Sequence, residues 1–258
     1  MLNSALLLCA ATLVRFTPAF AACDYATLQQ ATSNFISSQA TGAYATVAAS
    51  AAYTENFKTA AIGSGILSKP LKIDHSRSLH DTTQCATFTE LIVTDRSHPY
   101  VIGTQIHYNA DGTQATKIDS IVTDAGDWLF NATGTLYWAS REDWFVIPVE
   151  QRNTRAVIQA AADAYLDLFN NKSVVVPWGT PCARLEGGSY TGKGAATDSC
   201  NVGVPSGVQL VNRRYVIDET VGSVDVFLNF GGATGIPDSH EFRVENGKLR
   251  FVHTMTVM

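Results

Sequence analysis

The sequence predicts an α+β protein with two units of one design in tandem, each a helix packed on a curved antiparallel sheet. We call such a unit a cone. Apolar residues recur at helical spacing near the start of each half, and Asp-Gly or Asn-Gly turns occur near the end of each half. The elements between them follow in the same order. A chain of 258 residues is long enough for both units to bury a core.

Residues 1–21 are predicted to be a signal peptide. An apolar run from Ala5 to Val14 is too short to cross a bilayer, and the small residues Ala19 and Ala21 follow it at the place where a signal peptidase cuts. We therefore expect a protein of the secretory pathway or the extracellular space. An N-terminal core helix is the alternative. No second apolar run of spanning length follows, so we expect no membrane span.

The first cone is predicted to occupy residues 22–127. A stripe of apolar side chains predicts a helix from Tyr25 to Ala40. The segment YTENFKTAAIGSG follows as an irregular loop that contains Glu55 and ends in a glycine pair. Antiparallel strands then meet at the Asp111-Gly112 turn, which is a strong hairpin signal.

Residues 128–150 form an aromatic connecting segment. Three of the four tryptophans of the chain lie in it, namely Trp128, Trp138 and Trp144. One interpretation is a cover strand or hairpin that seals the two cones together, because aromatic residues usually build core. The other is a stacking wall for a flat, apolar ligand. In that case the candidate substrate-binding residues are Trp128, Trp138, Trp144, Tyr53 and Phe251.

The second cone is predicted to occupy residues 151–258. An apolar stripe indicates a helix from Asn153 to Phe169, with Asn153 as the N-cap. A loop with Glu186 and a second glycine pair repeats the pattern of the first half, with the register shifted by two residues. The Asn246-Gly247 turn then joins the last two strands.

Four cysteines remain after removal of the signal peptide, and an even number is typical of an oxidising compartment. Three pairings are possible, and the repeat favours Cys23–Cys85 with Cys182–Cys200, one bridge in each half. A zinc site is the rival, but the chain has no C-x-x-C pair. Two glycosylation motifs, at Asn131 and Asn171, agree with secretion.

Standard catalytic motifs are absent from the sequence. It contains neither a G-x-S-x-G nucleophile elbow nor an H-E-x-x-H pair, and Gly194 replaces the Ser or Thr that a GSYTGKG phosphate loop would need. We therefore expect no metal and no cofactor. The net charge of −5 and the lack of a Lys/Arg run also predict no nucleic-acid partner.

Strand alternation identifies the polar side chains that we consider candidate catalytic groups. His253 lies in a predicted strand among apolar residues of the same face, which are Leu249, Phe251, Met255 and Val257. It either donates to a substrate in the cone interior or has an internal partner. Asp119 is a second candidate, with an ion pair to Lys117 as the alternative. Tyr215 is the third, as a phenolic proton donor or a packing residue.

The segment from Tyr53 to Gly65 resembles the one that follows the first helices in many cystatin-like cones of the nuclear transport factor 2 superfamily. The resemblance covers residues 24–124 and, more weakly, 152–258. The segments ATGTLYWASREDWFVIP and GIPDSHEFRVENGKLRFVHT resemble a family of secreted fungal proteins near the tropolone–sesquiterpenoid hetero-Diels-Alderases. This resemblance implies two cystatin-like cones, secretion and chemistry on apolar small molecules.

The expected function is that of a cofactor-free cyclase or pericyclase, of hetero-Diels-Alder type, on an apolar fungal secondary metabolite. Such a reaction needs a shaped pocket and one or two hydrogen-bond donors rather than a nucleophile. The alternative is a secreted small-molecule-binding or effector protein without catalysis. We expect a monomer or homodimer.

Overall fold

The structure is a computed structural model that describes residues 23–258. The predicted signal peptide lies outside the described residues. Within residues 23–258 the α-helices are α1 (Tyr25–Ala40), α2 (Tyr44–Val47), α3 (Ala132–Ala139) and α4 (Arg155–Leu168). No helix in the described part of the chain is long and apolar enough to span a membrane.

Two six-stranded sheets have the same topology, and this confirms the prediction of two α+β units in tandem. In chain order the first sheet contains β1 (Ala52–Glu55), β2 (Lys58–Thr59), β3 (His75–Asp81), β4 (Ala86–Val93), β5 (Tyr100–Tyr108) and β6 (Ala115–Thr123). The second contains β7 (Trp178–Glu186), β8 (Ser189–Tyr190), β9 (Leu210–Asp218), β10 (Ser223–Phe230), β11 (Ile236–Glu245) and β12 (Lys248–Thr256). The spatial orders are β2-β1-β6-β5-β4-β3 and β8-β7-β12-β11-β10-β9.

The short strands next to each glycine pair were predicted as irregular loops, and this was wrong. In each half a strand runs parallel to the last strand of its sheet and forms a small hairpin with a two-residue strand. β1 has four residues and β2 and β8 have two each, which is too few for periodicity to detect, whereas the nine-residue β7 was missed despite its length.

Three further local predictions need correction. The connecting segment contains α3 rather than a strand or hairpin, and Asn131 caps it by accepting from the Gly134 amide. Thr154, not Asn153, caps α4. Asn246-Gly247 is a two-residue turn with positive φ at both residues, whereas Asp111-Gly112 lies inside the longer loop between β5 and β6.

Three apolar clusters form the core. One fills the first cone beneath α1, with Phe35 at its centre, and another fills much of the second cone beneath α4, with Tyr165 at its centre. The third lies between the two sheets, where Phe88 of one meets Phe227 of the other. The sheets therefore pack face to face, with α1 and α4 on their outer sides, while Ala132 and Ala139 of α3 belong to the cluster between the sheets.

Two aspartates join the halves in a nearly symmetric way. Asp81, at the end of β3, accepts from both Arg155 terminal nitrogens (2.7 and 2.8 Å) and from the Ile217 amide (2.9 Å). Asp218, at the end of β9, accepts from the Tyr25 hydroxyl (3.0 Å) and the His80 amide (2.9 Å). Asp81 thus connects the first half to α4 and β9 of the second half. Asp218 connects the second half to α1 and β3 of the first.

The cysteines pair as predicted, Cys23 with Cys85 and Cys182 with Cys200. The two bridges fit a secreted protein. We expect Cys23→Ser and Cys182→Ser each to lower the melting temperature. Closing a loop of the size of the second bridge adds about 3 kcal/mol in the chain-entropy account, and the longer loop adds more. Calorimetry checks the shifts, and a non-reduced peptide that links Cys23 to Cys182 or Cys200 would contradict the pairing.

Asn131 remains available for a glycan because it is exposed at the start of α3. We expect protein from a eukaryotic secretory host to carry an N-linked glycan there. Intact mass before and after glycosidase treatment checks this, and Asn131→Gln removes the acceptor. An unchanged mass after treatment would show that neither this motif nor the one at Asn171 is used.

Candidate functional site

The repeat allows the two cones to be compared position by position. The row Glu55–Ser120–Thr104–Thr89–Ser78 crosses the first sheet through paired positions. The row Glu186–Thr254–His240–Val226–Tyr215 crosses the second sheet through the matching strands. The structure thus confirms the correspondence of Glu55 and Glu186.

The first cone is filled by its own chain. Ile66 and Leu67, in a 3-10 turn after β2, are almost completely buried in its core. The Ile66 amide donates to Glu55 Oε2 (2.7 Å), and the Gln39 side chain donates to the Ile66 carbonyl (3.0 Å). A Cβ at Gly65 would lie 2.6 Å from Glu55 Oε2, so glycine permits this close approach.

The second cone contains a cavity of about 340 Å³. Its lining is largely apolar and comes from the C-terminal end of α4, the loop before β9, and strands β7, β10, β11 and β12. Trp128 stands in its wall, and the other apolar members are Phe169, Pro205, Val208, Phe230, Ile236 and Met258. A cavity of this size and lining is typical of a small-molecule site.

Arg184 and Glu186 place an ion pair in the wall of this cavity. Arg184 Nη2 lies 2.9 Å from Glu186 Oε1, and Arg184 Nη1 donates to the Cys200 carbonyl at 3.3 Å. Arg184 Nε is buried without a hydrogen-bond partner.

His240 and Thr254 present further polar groups to the cavity. His240 Nδ1 lies 2.9 Å from Asp238 Oδ2, although the angle is not that of a hydrogen bond. The Thr254 hydroxyl is buried without a partner, and so is the hydroxyl of Tyr165 nearby in the core. Burial raises the pKa of the Tyr165 hydroxyl, so it stays protonated and can donate.

At matching positions of the two sheets, the second cone has a polar pair where the first has an apolar pair, and a histidine where the first has a threonine. Ile102 pairs with Val122 in the first sheet, and the matching pair in the second is Asp238 with Thr256. Thr104 corresponds to His240. The first cone is thus built as core, whereas the second carries an acid–base pair around an open cavity.

His253 does not face this cavity. A register shift between Leu249 and Phe251 changes the alternation, so Leu249 packs beneath α4 while Met255 packs between the sheets. The prediction that these residues share one face was therefore wrong at Leu249.

His253 lies among charged groups between the sheets, with Nε2 2.6 Å from Glu142 Oε2 and Nδ1 3.1 Å from Glu90 Oε1. Burial favours the neutral ring, but Glu142 and Glu90 outweigh it and raise the pKa of His253 to about 9. Of the two alternatives for this residue, the geometry favours the one with internal partners.

Glu90, Glu241 and His253 are close enough to share a metal ion, but a cation of the protein already lies among them. Arg77 Nη2 is 3.1 Å from Glu90 Oε2, 2.5 Å from Glu241 Oε2 and 3.0 Å from His253 Nδ1. The arginine supplies the positive charge that these carboxylates need, so we assign the cluster a structural role.

The other two candidate catalytic residues are also engaged internally. Asp119 occupies the position in β6 that His253 occupies in β12, and it pairs with Lys117 at 2.6 Å. The Tyr215 hydroxyl donates to Asp163 Oδ1 at 2.7 Å and ties β9 to α4.

The predicted aromatic wall is divided among three places. Trp128 alone reaches the cavity of the second cone. Phe251 and Trp138 line one open groove on the surface, where Trp138 stacks on Tyr190 and Trp144 stacks on Phe251 beside His253. Tyr53 is buried in the first cone, where its hydroxyl donates to Glu55. These residues therefore do not form one stacking surface.

Sequence reasoning missed His240, Asp238, Thr254 and Tyr165 as functional groups. In the strand from Asp238 to Phe242, alternation places the polar Asp238 and His240 on the same face as the apolar Phe242. A polar residue among apolar neighbours of one face is the same signal that singled out His253. Glu186 was recognised only as part of the repeat, and the structure adds its ion pair with Arg184.

Residues 151–256, which make up the second cone, match a family model described as a domain of unknown function, DUF8021. No curated protein matches the chain.

Proposed function

We propose that the second cone binds an apolar small molecule and converts it without a covalent intermediate. The observation that carries this proposal is the largely apolar cavity of about 340 Å³ whose wall also contains the polar side chains of Arg184, His240 and Thr254. A few polar groups that converge in one apolar cavity are typical of a site built for a ligand.

The chemistry available at this site is polarisation and proton transfer. The Arg184 guanidinium in the cavity wall is a donor for a carbonyl or other heteroatom that gains negative charge in the transition state. His240, whose Nδ1 lies 2.9 Å from Asp238 Oδ2, is placed to take up or deliver a proton. The apolar wall excludes water and strengthens both interactions.

The concrete reaction that we propose is a ring closure of hetero-Diels-Alder type on a secondary metabolite. A four-atom diene and a two-atom partner that contains a heteroatom form two σ bonds while three π bonds become one. His240 first moves one proton from one atom of the substrate to another and so generates the diene; all atoms are retained, and no electrons or net protons leave. Donation from Arg184 to the heteroatom lowers the barrier, and the cavity holds the reacting ends together. The resemblance to secreted fungal proteins near the hetero-Diels-Alderases supports this choice.

Turnover on apolar extracts of the organism that carries the gene tests this proposal. Protein at catalytic concentration should consume a neutral metabolite over many equivalents. Mass spectrometry should show a product whose mass equals the summed mass of what was consumed. Consumption that stops at one equivalent per protein would contradict catalysis and favour the alternative of a binding protein. A product that gains or loses atoms would contradict ring closure.

A further inference from the structure

The segment that fills the first cone indicates what the second cone binds. Ile66 and Leu67 supply an aliphatic body of two side chains, and the Ile66 amide directs an N–H to Glu55. Glu55 and Glu186 occupy equivalent positions in the two sheets. Glu55 pairs with Ser120 in β6, and Glu186 pairs with Thr254 in β12, which are matching positions of the last strand of each sheet. The first cone thus contains an internal occupant at the position of the second cone's cavity.

Glu186 keeps the capacity to accept a hydrogen bond from a ligand. Its carboxylate lines the cavity, is 23% exposed, and pairs with Arg184. An ionised carboxylate offers about four lone-pair sites, so the contact with Arg184 leaves room for another donor.

The charges of the cavity argue against an anionic ligand. Arg184 is the cation in the lining, and its charge is already matched by Glu186 at 2.9 Å. A bound carboxylate would lie near Glu186 without an unpaired cation to balance it, which is unfavourable in an apolar cavity.

From these observations we infer that the ligand of the second cone is a neutral, compact aliphatic or alicyclic molecule that donates a hydroxyl or amide hydrogen bond to Glu186. The inference rests on the proposed function, because it names the substrate class of the same cavity.

Calorimetric titration with three probes of one skeleton tests the inference. The probes are 4-tert-butylcyclohexanol, its methyl ether, and 4-tert-butylcyclohexanecarboxylate. We expect the alcohol to bind about tenfold more tightly than the ether, which lacks the donor. The carboxylate should bind more weakly than either.

Glu186→Gln should reduce the preference for the alcohol and increase the affinity for the carboxylate, because it frees the charge of Arg184. Glu55→Gln is the matched control in the filled cone and should leave all three affinities unchanged.

The outcomes separate this inference from the proposed function. Equal binding of alcohol and ether, or a probe order unaffected by Glu186→Gln, would overturn the hydrogen-bond donor while leaving an apolar site in place. If none of the probes binds, both the inference and the proposed site are overturned. Thermal melting of each variant shows that the comparison is made on folded protein.

Discussion

His240→Gln is expected to lower turnover of the consumed metabolite by about 10²- to 10⁴-fold, which is the range for loss of a positioned acid–base group. The melting temperature should change little. Glutamine retains a donor and an acceptor of similar size beside Asp238, but it cannot exchange a proton near neutral pH. Initial rates on the metabolite, with thermal melting of the same preparations, measure both quantities.

The matched control for this variant is His253→Gln, which makes the same substitution at the other buried histidine of the second sheet. If His240→Gln turns over at the parental rate while His253→Gln is impaired per folded molecule, the active site lies between the sheets. That result would contradict the assignment to the second cone.

His253→Gln is expected to destabilise the protein without changing turnover per folded molecule. The folded ring has a pKa of about 9 against about 6.5 in the unfolded chain, so its charge contributes about 3 kcal/mol. Gln supplies no charge to Glu90 and Glu142. For a domain of this size the loss corresponds to a melting temperature lower by about 10 °C.

The pH dependence follows from the same pKa. Because the folded value is raised, the stabilisation is complete below about pH 6.5 and is lost as the pH rises to about 9. The free energy of unfolding of the parent should therefore fall across this window relative to that of His253→Gln, and denaturant titration at several pH values measures it. A constant difference across the window would show that His253 is not held as the cation.

Much of the architecture was predictable because its signals are local. The helix from Tyr25 to Ala40 has the predicted bounds, and the even cysteine number with the repeat led to the correct bridges. The β-hairpins that contain Glu55 and Glu186 were missed because each includes a strand of two residues. The position of each of these hairpins in its sheet depends on parallel pairing with a strand that is distant in the sequence, β6 for the first and β12 for the second.

The site was less predictable because alternation shows only which residues share a face. It does not show whether that face meets a helix or another sheet. The face of His253 meets the first sheet, where Glu90 lies opposite, whereas the face of His240 meets α4 and the cavity. The irregularity between Leu249 and Phe251 also changes which residues of β12 face each side of the sheet. A prediction that assumes strict alternation along the strand does not allow for this.

The central claim is that the second cone is an open chamber for an apolar ligand while the first is filled. Val208→Trp tests it most directly, because it places an indole in the cavity lining, and Val175→Trp is the control at a site that is 89% exposed. The measurement is calorimetric titration with 4-tert-butylcyclohexanol. We expect saturable binding with one site per chain in the parent and in Val175→Trp, and at least a tenfold loss of affinity in folded Val208→Trp. Parental affinity in Val208→Trp would contradict the claim, because the ligand would then lie elsewhere.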